Sequence, residues 1–200
     1  MIDARTLAFY EAHAPTYTVS GARGPSRDLD AFLDRLHPRA YILELGCGGG
    51  RDAQHVIARG FMLDATDGSA AMAKRARQRT GHAVRVMAFD ALEAAAHYDA
   101  VWAHAALLHV ARPDLSPILH RIARALRPGG LFYANYKLGH GEARDTFGRL
   151  YNFYDADALI ALYDSVPDLH VETASAYASG GFDGVDRQWL AITARAGDSV

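Results

Sequence analysis

The stretch ILELGCGGGRDA, at Ile42–Ala53, places a burst of glycine directly after a short apolar run. The apolar residues of Tyr41–Leu45 predict a buried strand, and Asp52–Arg59 predicts a helix that ends near Gly60. Glycine between a strand and a helix lets the backbone approach a bound molecule very closely. In an open parallel sheet such a turn lies at the carboxyl edge, where ligands bind. The sequence therefore predicts a ligand site after its first strand.

Strand and helix patterns alternate through the first two thirds of the chain. The further predicted strands are Phe61–Thr66, Val84–Phe89, Ala100–Ala103, Leu131–Tyr136, His170–Ala176 and Gln188–Ala194. The other predicted helices are Thr6–Ala14, a segment from Leu29 that Pro38 ends, Ser69–Arg79 with Ser69 as N-cap, Leu115–Leu126 and Ala156–Tyr163. A break rich in Gly, Pro and Ser separates the first two helices at residues 20–27. This alternation favours a parallel sheet covered by helices on both faces, and the last two strands should pair antiparallel.

The length and composition of the chain argue against several classes of protein. The chain has 200 residues and a formal net charge of -2, so we expect one domain over residues 1–200 and no bulk attraction to nucleic acid or anionic lipid. The single cysteine, Cys47, cannot form an internal disulfide. No run approaches the roughly 18 apolar residues of a membrane span, and the first residues lack a signal-peptide core. The sequence thus predicts a cytoplasmic protein.

Nicotinamide dinucleotides, phosphates and S-adenosylmethionine (SAM) all bind at glycine turns of this kind. Gly46 and Gly48 match the first two glycines of the dinucleotide pattern G-x-G-x-x-G, but Arg51 occupies the third position, where its bulk opposes close packing of the helix on the strand. The Gly-Lys-Ser/Thr of a phosphate-binding loop is absent. The pattern is instead E-x-G-x-G-x-G, beginning at Glu44, which suits a ligand that needs only a flat backbone close by.

Two acidic residues follow the next strands. Asp67 comes after the second predicted strand, where a carboxylate can accept two hydrogen bonds from a ribose diol. NAD enzymes use the same position, so Asp67 alone does not identify the ligand. Asp90 ends the third predicted strand and could accept a hydrogen bond from the exocyclic amine of an adenine.

With these motifs together, the chain resembles the class I SAM-dependent methyltransferases. The matching stretches are ILELGCGGG, GFMLDATDGSAAMAKRA, FDAL, YDAVWAHAALLHV and ALRPGGLFYANYK. The segments GRD, RDTFGRLYNFY and QWLAITAR further resemble small bacterial methyltransferases of the tellurite-resistance type. The resemblance implies a Rossmann-like, doubly wound α/β fold with seven mostly parallel strands and an antiparallel last strand.

The resemblance also implies roles for particular residues and regions. Asp67 would hold the ribose, Asp90 with Ala91 would meet the adenine, and Glu44 would orient the loop or the SAM amino group through water. The full set of cofactor-binding residues implied is Tyr17, Glu44, Gly46, Cys47, Gly48, Asp67, Gly68, Asp90, Ala91 and His104. Residues 1–37 would form capping helices, 38–136 the SAM-binding core, and 137–200 a substrate-cap loop, a helix and the closing strand pair.

A small-molecule acceptor is favoured because a chain of this length leaves no room for a recognition domain. Cys47 lies within the cofactor loop, which argues against the cysteine nucleophile that methylation at pyrimidine C5 requires. The Asn/Asp-Pro-Pro-aromatic element of enzymes that methylate nucleobase amines is absent. We therefore predict no nucleic-acid partner, no membrane partner and no metal, and the sequence does not indicate the oligomeric state.

The polar, aromatic loop from Tyr136 to Tyr154 is the predicted substrate cap, because long loops of this kind are usually functional. Its candidate acceptor-binding residues are Arg144, Arg149, Tyr151, Asn152 and Tyr154. Two arginines would suit an anionic acceptor, although they could instead pair with Glu142 and Asp145. His109, Arg149 and Tyr151 are the catalytic candidates. The alternatives to a methyltransferase are an NAD-dependent oxidoreductase and a non-catalytic SAM-binding sensor.

Overall fold

The computed structural model describes residues 3–19, 24–182 and 184–197, and part of the predicted 20–27 break lies outside these ranges. Its main sheet has seven strands in the order β3-β2-β1-β4-β5-β9-β8. The strands are β1 Tyr41–Leu45, β2 Met62–Asp67, β3 Val84–Val86, β4 Tyr98–Ala103, β5 Leu126–Lys137, β8 Leu169–Gly180 and β9 Asp186–Ala196. Strands β1 to β5 are parallel, and β9 runs antiparallel between β5 and β8. The predicted sheet and its antiparallel last strand are confirmed.

Six α-helices accompany the sheet in the described part of the chain. They are α1 Ala4–Tyr17, α2 Leu29–Leu33, α3 Arg51–Ala58, α4 Ala70–Thr80, α5 Arg112–Ala125 and α6 Ala156–Asp164. As predicted, Ser69 caps α4, since its hydroxyl oxygen accepts a hydrogen bond from the Met72 N–H. None of the helices described here is both long and apolar enough to cross a membrane.

The core fills both faces of the sheet, because neighbouring residues of a strand point to opposite sides. Leu43 on β1 packs in the cluster that contains α5 and α6 residues such as Leu119 and Leu159. Its neighbour Ile42 packs on the other face with α2 and α3 residues such as Phe32 and Val56. This two-sided burial fixes the carboxyl edge of the strands, where the glycine turn lies.

The predicted third strand and cap loop need correction. The third strand is β3, which ends at Val86, and the chain then turns through a short 3-10 helix at Phe89–Ala91. The predicted cap loop contains a second, two-stranded sheet of β6 Gly141–Arg144 and β7 Leu150–Phe153. Its polar residues hide the strand pattern, because Gly141–Arg144 is exposed along its whole length.

Candidate functional site

The glycine turn after β1 is fastened to the end of β2. The N–H groups of Gly46 and Cys47 each donate to the Thr66 carbonyl over 2.9 Å. The Gly48 N–H donates to Asp67 Oδ2 over 2.8 Å, and the Ser69 N–H donates to Asp67 Oδ1 over 2.8 Å. The Asp67 carboxylate therefore ties the turn to the start of α4.

Two glycines in this turn admit no side chain. At Gly46, which has φ of 73°, a Cβ would lie 2.7 Å from the Ala106 Cβ. At Gly50, with φ of 75°, a Cβ would lie 2.9 Å from the Ala76 Cα on α4. Both positions combine a left-handed backbone with close packing, so only glycine fits. Gly50 thus permits the close approach of the turn to α4.

Two acidic residues lie at the same edge of the sheet as the turn. Burial raises the pKa of Asp67 to about 6, although its two backbone hydrogen bonds oppose the shift. Glu44 is only 4% exposed, and its Oε2 makes no hydrogen bond within the described structure. Burial, helped by nearby Asp52 and Asp67, raises the pKa of Glu44 well above its usual value. A buried carboxylate oxygen without a donor is costly, so this site fits a cationic or N–H-bearing ligand.

These groups line one end of a cavity of about 1090 Å³. The volume slightly exceeds that of a pocket for one drug-sized ligand, so two molecules can lie side by side. Glu44, Asp67 and the glycine turn line the β1–β2 end. The opposite end, beside β5 and β9, is lined by Lys137, Arg149, Tyr151 and Trp189 among others.

A roof covers the cavity, and it consists of α1, the β6–β7 turn and the tip of the β8–β9 hairpin. The Tyr17 ring on α1 lies 5.2 Å from the Tyr10 ring and 4.8 Å from the Phe182 ring of that tip. The Leu150 N–H donates to the Thr6 hydroxyl over 2.8 Å, which joins α1 to β7.

Arg149 lies at the centre of the roof and is 1% exposed. Its Nε donates to Asp145 Oδ2 over 2.8 Å, and its guanidinium lies 4.7 Å from the Phe9 ring centre and 5.4 Å from that of Phe182. Its Nη1 donates to the Tyr10 hydroxyl over 3.3 Å. Its Nη2 lies 2.7 Å from Asp145 Oδ2 but makes no hydrogen bond of acceptable geometry.

Part of the chain that lines this cavity is similar to a known protein family. Residues 42–130 match the family model described as "Methyltransferase domain". This segment is similar to methyltransferase domains. It holds β1 to β4, the glycine turn, Asp67 and Glu44, which line one end of the cavity. No curated protein sequence matches the chain.

Solved structures share the fold of this chain over most of its length. A SAM-dependent methyltransferase from Methanosarcina mazei is 16% identical, with a TM-score of 0.76 over 84% of this chain and 98% of that one. A Burkholderia thailandensis 1,6-didemethyltoxoflavin-N1-methyltransferase, solved with 1,6-didemethyltoxoflavin and S-adenosylhomocysteine bound, is 24% identical, with a TM-score of 0.69 over 94% of this chain and 80% of that one. The [4+2]-cyclase SpnF is 16% identical, with a TM-score of 0.76 over 96% and 95%. At these identities the likeness shows the fold alone, and the cyclase illustrates that one fold can host different reactions.

Most of the predicted cofactor residues lie together on the cavity. Its lining includes eight of the ten, namely Tyr17, Glu44, Gly46, Cys47, Gly48, Asp67, Gly68 and His104. Asp90 and Ala91 are exposed and do not line it, whereas their neighbour Phe89 does. The 3-10 turn that replaces the end of the predicted third strand accounts for this placement, and the adenine role of Asp90 stays a prediction.

The predicted cap residues are only partly brought together. Arg149 and Tyr151 line the cavity. Arg144 is drawn outward, because its Nη2 lies 2.8 Å from Asp3 Oδ2 at the start of α1. Asn152 and Tyr154 are buried but do not line the cavity. Arg144, Asn152 and Tyr154 thus lie off the cavity, and their acceptor role stays a prediction, whereas Arg149 pairs with Asp145, the alternative that the sequence also allowed.

His104 and His109 both line the cavity at the end of β4. His104 Nδ1 lies 3.2 Å from the Ser26 hydroxyl, and burial lowers the pKa of His104. His109 Nδ1 lies 2.6 Å from the Leu150 carbonyl, which can only accept, so Nδ1 carries the proton. His109 Nε2 lies 2.9 Å from the Tyr10 hydroxyl and accepts a hydrogen bond from it. His109 is therefore engaged on both ring nitrogens.

We expect His109 to remain neutral across the physiological pH range. Burial, helped by the nearby charges of Arg149 and Lys137, lowers the pKa of His109 to about 4. A ¹⁵N NMR titration should show the Nδ1–H tautomer and no protonation of His109 between about pH 5 and 8, whereas an ordinary histidine titrates near 6.5. The His109→Gln variant assigns the signal, and a midpoint between pH 6 and 7 would contradict the burial argument.

Sequence reasoning missed several residues on the cavity, among them two aromatic side chains and a lysine. Tyr10 lies on the inner side of α1, Lys137 ends β5, and Trp189 lies opposite Lys137 on β9. A signal was available for Lys137, because it follows directly on a buried apolar strand and so falls at the same sheet edge as Asp67. No such sequence signal marks Trp189 as a cavity residue, because a tryptophan in a strand is ordinarily a core residue.

Proposed function

We propose that this chain transfers a methyl group from SAM to a small-molecule acceptor, and that each end of the cavity binds one of the two molecules. SAM occupies the β1–β2 end and the acceptor occupies the end beside β5 and β9. The observation that carries the proposal is the unsatisfied Glu44 carboxylate beside the glycine turn, within the segment that matches the methyltransferase model. The methyltransferase from Burkholderia thailandensis, which holds a small molecule together with S-adenosylhomocysteine, supports an acceptor of modest size.

The residues at the SAM end fit the parts of that cofactor. Glu44 Oε2 lacks a hydrogen-bond donor, and the ammonium of the methionine tail would supply one. Asp67 uses one acceptor site on each oxygen for the Gly48 and Ser69 N–H groups, and a carboxylate oxygen has a second lone pair for a ribose hydroxyl. The bare backbone at Gly48, where an added Cβ would meet nothing within 4 Å, leaves open space for the tail.

In the proposed reaction, most of the rate enhancement comes from the way the protein positions the acceptor. When bound, SAM supplies a methyl group that is already activated on a sulfonium. Holding an acceptor in line with such a group can contribute roughly 7–11 kcal/mol. The roof residues Tyr10, Tyr17 and Arg149 restrict where an acceptor can lie. His109 has no free ring nitrogen to act as a base, so we assign it to holding Tyr10 in place.

The finer assignments belong to the same proposal. In it, residues 1–37 act as capping helices, residues 38–136 as the SAM-binding core, and residues 137–200 as the substrate cap and closing strand pair. The resemblance to small bacterial enzymes of the tellurite-resistance type and the cytoplasmic location stay predictions from the sequence. No feature of the described residues favours the NAD-dependent oxidoreductase or the non-catalytic sensor.

The Glu44→Gln variant tests the proposal. We expect it to bind S-adenosylhomocysteine at least tenfold more weakly, because the ammonium loses its ionic partner, and titration calorimetry measures this. Methylthioadenosine lacks the amino-acid tail, so its affinity should be equal in the two proteins. Ligand-free Glu44→Gln should also melt at a higher temperature at neutral pH, because a neutral amide avoids the cost of burying an acid near Asp52 and Asp67.

Three outcomes would contradict the assignment. Equal affinity of both proteins for S-adenosylhomocysteine would remove Glu44 from the cofactor site. A parallel loss for methylthioadenosine would place the effect in the loop rather than at the tail. Tight binding of NAD by the wild type, without binding of SAM, would overturn the proposed reaction itself.

A further inference from the structure

Two tyrosine hydroxyls on the cavity are each held by a chain of hydrogen bonds that begins at the backbone. Tyr10 on α1 and Tyr177 on β8 both line the cavity. A backbone carbonyl can only accept a hydrogen bond and a backbone N–H can only donate one, so each chain has a fixed direction. That direction decides whether the hydroxyl donates to a bound molecule or accepts from it.

The chain at Tyr10 begins at the Leu150 carbonyl. The neutral His109 ring places Nδ1 2.6 Å from the Leu150 oxygen, so the ring proton is on Nδ1 and Nε2 can only accept. The Tyr10 hydroxyl lies 2.9 Å from Nε2, so its proton points to His109. The Tyr10 oxygen also accepts from Arg149 Nη1 over 3.3 Å, which leaves one of its two lone pairs. Tyr10 can therefore accept a hydrogen bond from a molecule in the cavity, but it cannot donate one.

The chain at Tyr177 runs in the opposite direction. The Ala105 N–H donates to Oδ1 of the fully buried Asn135, which fixes the orientation of the side-chain amide. Asn135 Nδ2 then donates to the Tyr177 hydroxyl over 2.7 Å. The Arg27 guanidinium lies 4.1 Å from the Tyr177 ring centre and has no acceptor atom to offer. No described residue accepts the Tyr177 proton, so Tyr177 can donate to a molecule in the cavity.

Both hydroxyls lie towards the acceptor end of the cavity. The Tyr177 ring lies 6.2 Å from that of Trp189, and the His109 ring, which holds Tyr10, lies 4.7 Å from that of Tyr151. Trp189 and Tyr151 line the acceptor end. The proposed SAM contacts are on β1 and β2, whereas β8 is the fourth strand beyond β1, or roughly 19 Å away at the usual strand spacing.

We propose that Tyr10 and Tyr177 together select the methyl acceptor, which presents an O–H or N–H group to Tyr10 and a hydrogen-bond acceptor atom to Tyr177. Hydroxy- and amino-substituted carbonyl or heteroaromatic compounds meet both requirements. This inference rests on the proposed function, because it names the substrate class of the same cavity. A molecule that lacks either group leaves one tyrosine unpaired on binding, and this lowers its affinity. His109 and Asn135 are positioning residues, since they act through the two tyrosines.

The test uses protein loaded with S-adenosylhomocysteine and two pairs of probes of nearly equal shape. Indole carries a donor that indene lacks, and quinoline carries an acceptor atom that naphthalene lacks. Ligand-observed NMR measures the affinities. We expect Tyr10→Phe to weaken the binding of indole about fivefold and to leave the other three probes within about twofold of the wild type. Tyr177→Phe should weaken quinoline alone by a similar factor, so each variant is the matched control for the other.

The wild type tests the same point where a variant does not fold. It should bind indole at least as tightly as indene, and quinoline at least as tightly as naphthalene, although a polar group costs free energy to remove from water. Weaker binding of either polar probe than of its apolar counterpart would overturn the inference. A His109 proton on Nε2 in the ¹⁵N spectrum would do the same, because the Tyr10 hydroxyl would then be free to donate.

The remaining outcomes separate this inference from the proposed function. Unchanged affinities in both variants, or an equal loss of indole and quinoline in each, would show that the two tyrosines do not select by hydrogen-bond direction. Binding of S-adenosylhomocysteine in that case leaves the methyltransferase proposal intact. Failure of the wild type to bind S-adenosylhomocysteine contradicts the proposed function itself.

Discussion

Replacing Arg149 with methionine is expected to lower the free energy of unfolding by about 3–5 kcal/mol. The Arg149 side chain is 1% exposed and that of Asp145 is 4% exposed, so the variant leaves a buried carboxylate without its cation. The stacking with Phe9 and Phe182 is lost as well. In a domain of this size the melting temperature should fall by roughly 6–20 °C, which differential scanning calorimetry measures.

A double variant separates the charge from the packing. In Arg149→Met with Asp145→Asn neither charge remains, so most of the lost stability should return. The asparagine Oδ1 can still accept from the Phe147 and Arg149 N–H groups, as Asp145 Oδ1 does. If the single variant melts within a degree or two of the wild type, the ion pair does not hold the roof together.

Replacing Asp67 with alanine is expected to weaken SAM binding by at least tenfold. The change removes the acceptor for the Gly48 and Ser69 N–H groups, so the glycine turn loses its tie to α4. Hydrogen bonds to a charged group contribute about 1.5–3 kcal/mol each, and tenfold in affinity corresponds to about 1.4 kcal/mol. Calorimetric titration gives the affinity, and Asp157→Ala, at an exposed acid of α6, serves as the matched control.

The pH dependence of SAM binding provides a second, independent test of the role of Asp67. Burial raises the pKa of Asp67 to about 6. Because the ionised carboxylate accepts the hydrogen bonds of the complex, protonation competes with the ligand. SAM affinity should therefore fall as the pH drops through about 6, approaching tenfold per pH unit, and Asp67→Asn should lack this dependence. Wild-type affinity that stays constant from pH 7 to 5 would show that Asp67 does not bind in its ionised form.

The parts of the fold that follow local rules could be predicted from the sequence. The strand Tyr41–Leu45 is an apolar run between turn signals, and its bounds are those predicted. The helix after Ser69 follows from its N-cap and ends before a left-handed Gly81. The β6–β7 hairpin could not be predicted, because it is polar on its exposed strand and its contacts with α1 lie about 140 residues apart in sequence.

The same contrast holds at the candidate site. The glycine turn and Asp67 are adjacent to strand ends, so topology alone brings them together. The partners of arginines are not set by topology. Arg144 and Arg149 are five residues apart, yet one pairs with Asp3 at the surface and the other is buried beside Asp145. Whether Arg144 or Arg149 faces the cavity depends on how three separate segments pack, and no local sequence pattern predicts that packing.

The roof joins segments from opposite ends of the chain, and this has a consequence for synthesis on the ribosome. Helix α1 emerges well before β7, because 144 residues of sequence separate Thr6 from Leu150, which share a hydrogen bond. A nascent chain that stops before Gly141 already contains the five parallel strands and the glycine turn. It lacks the wall and ceiling of the second compartment, which therefore assemble after the parallel strands.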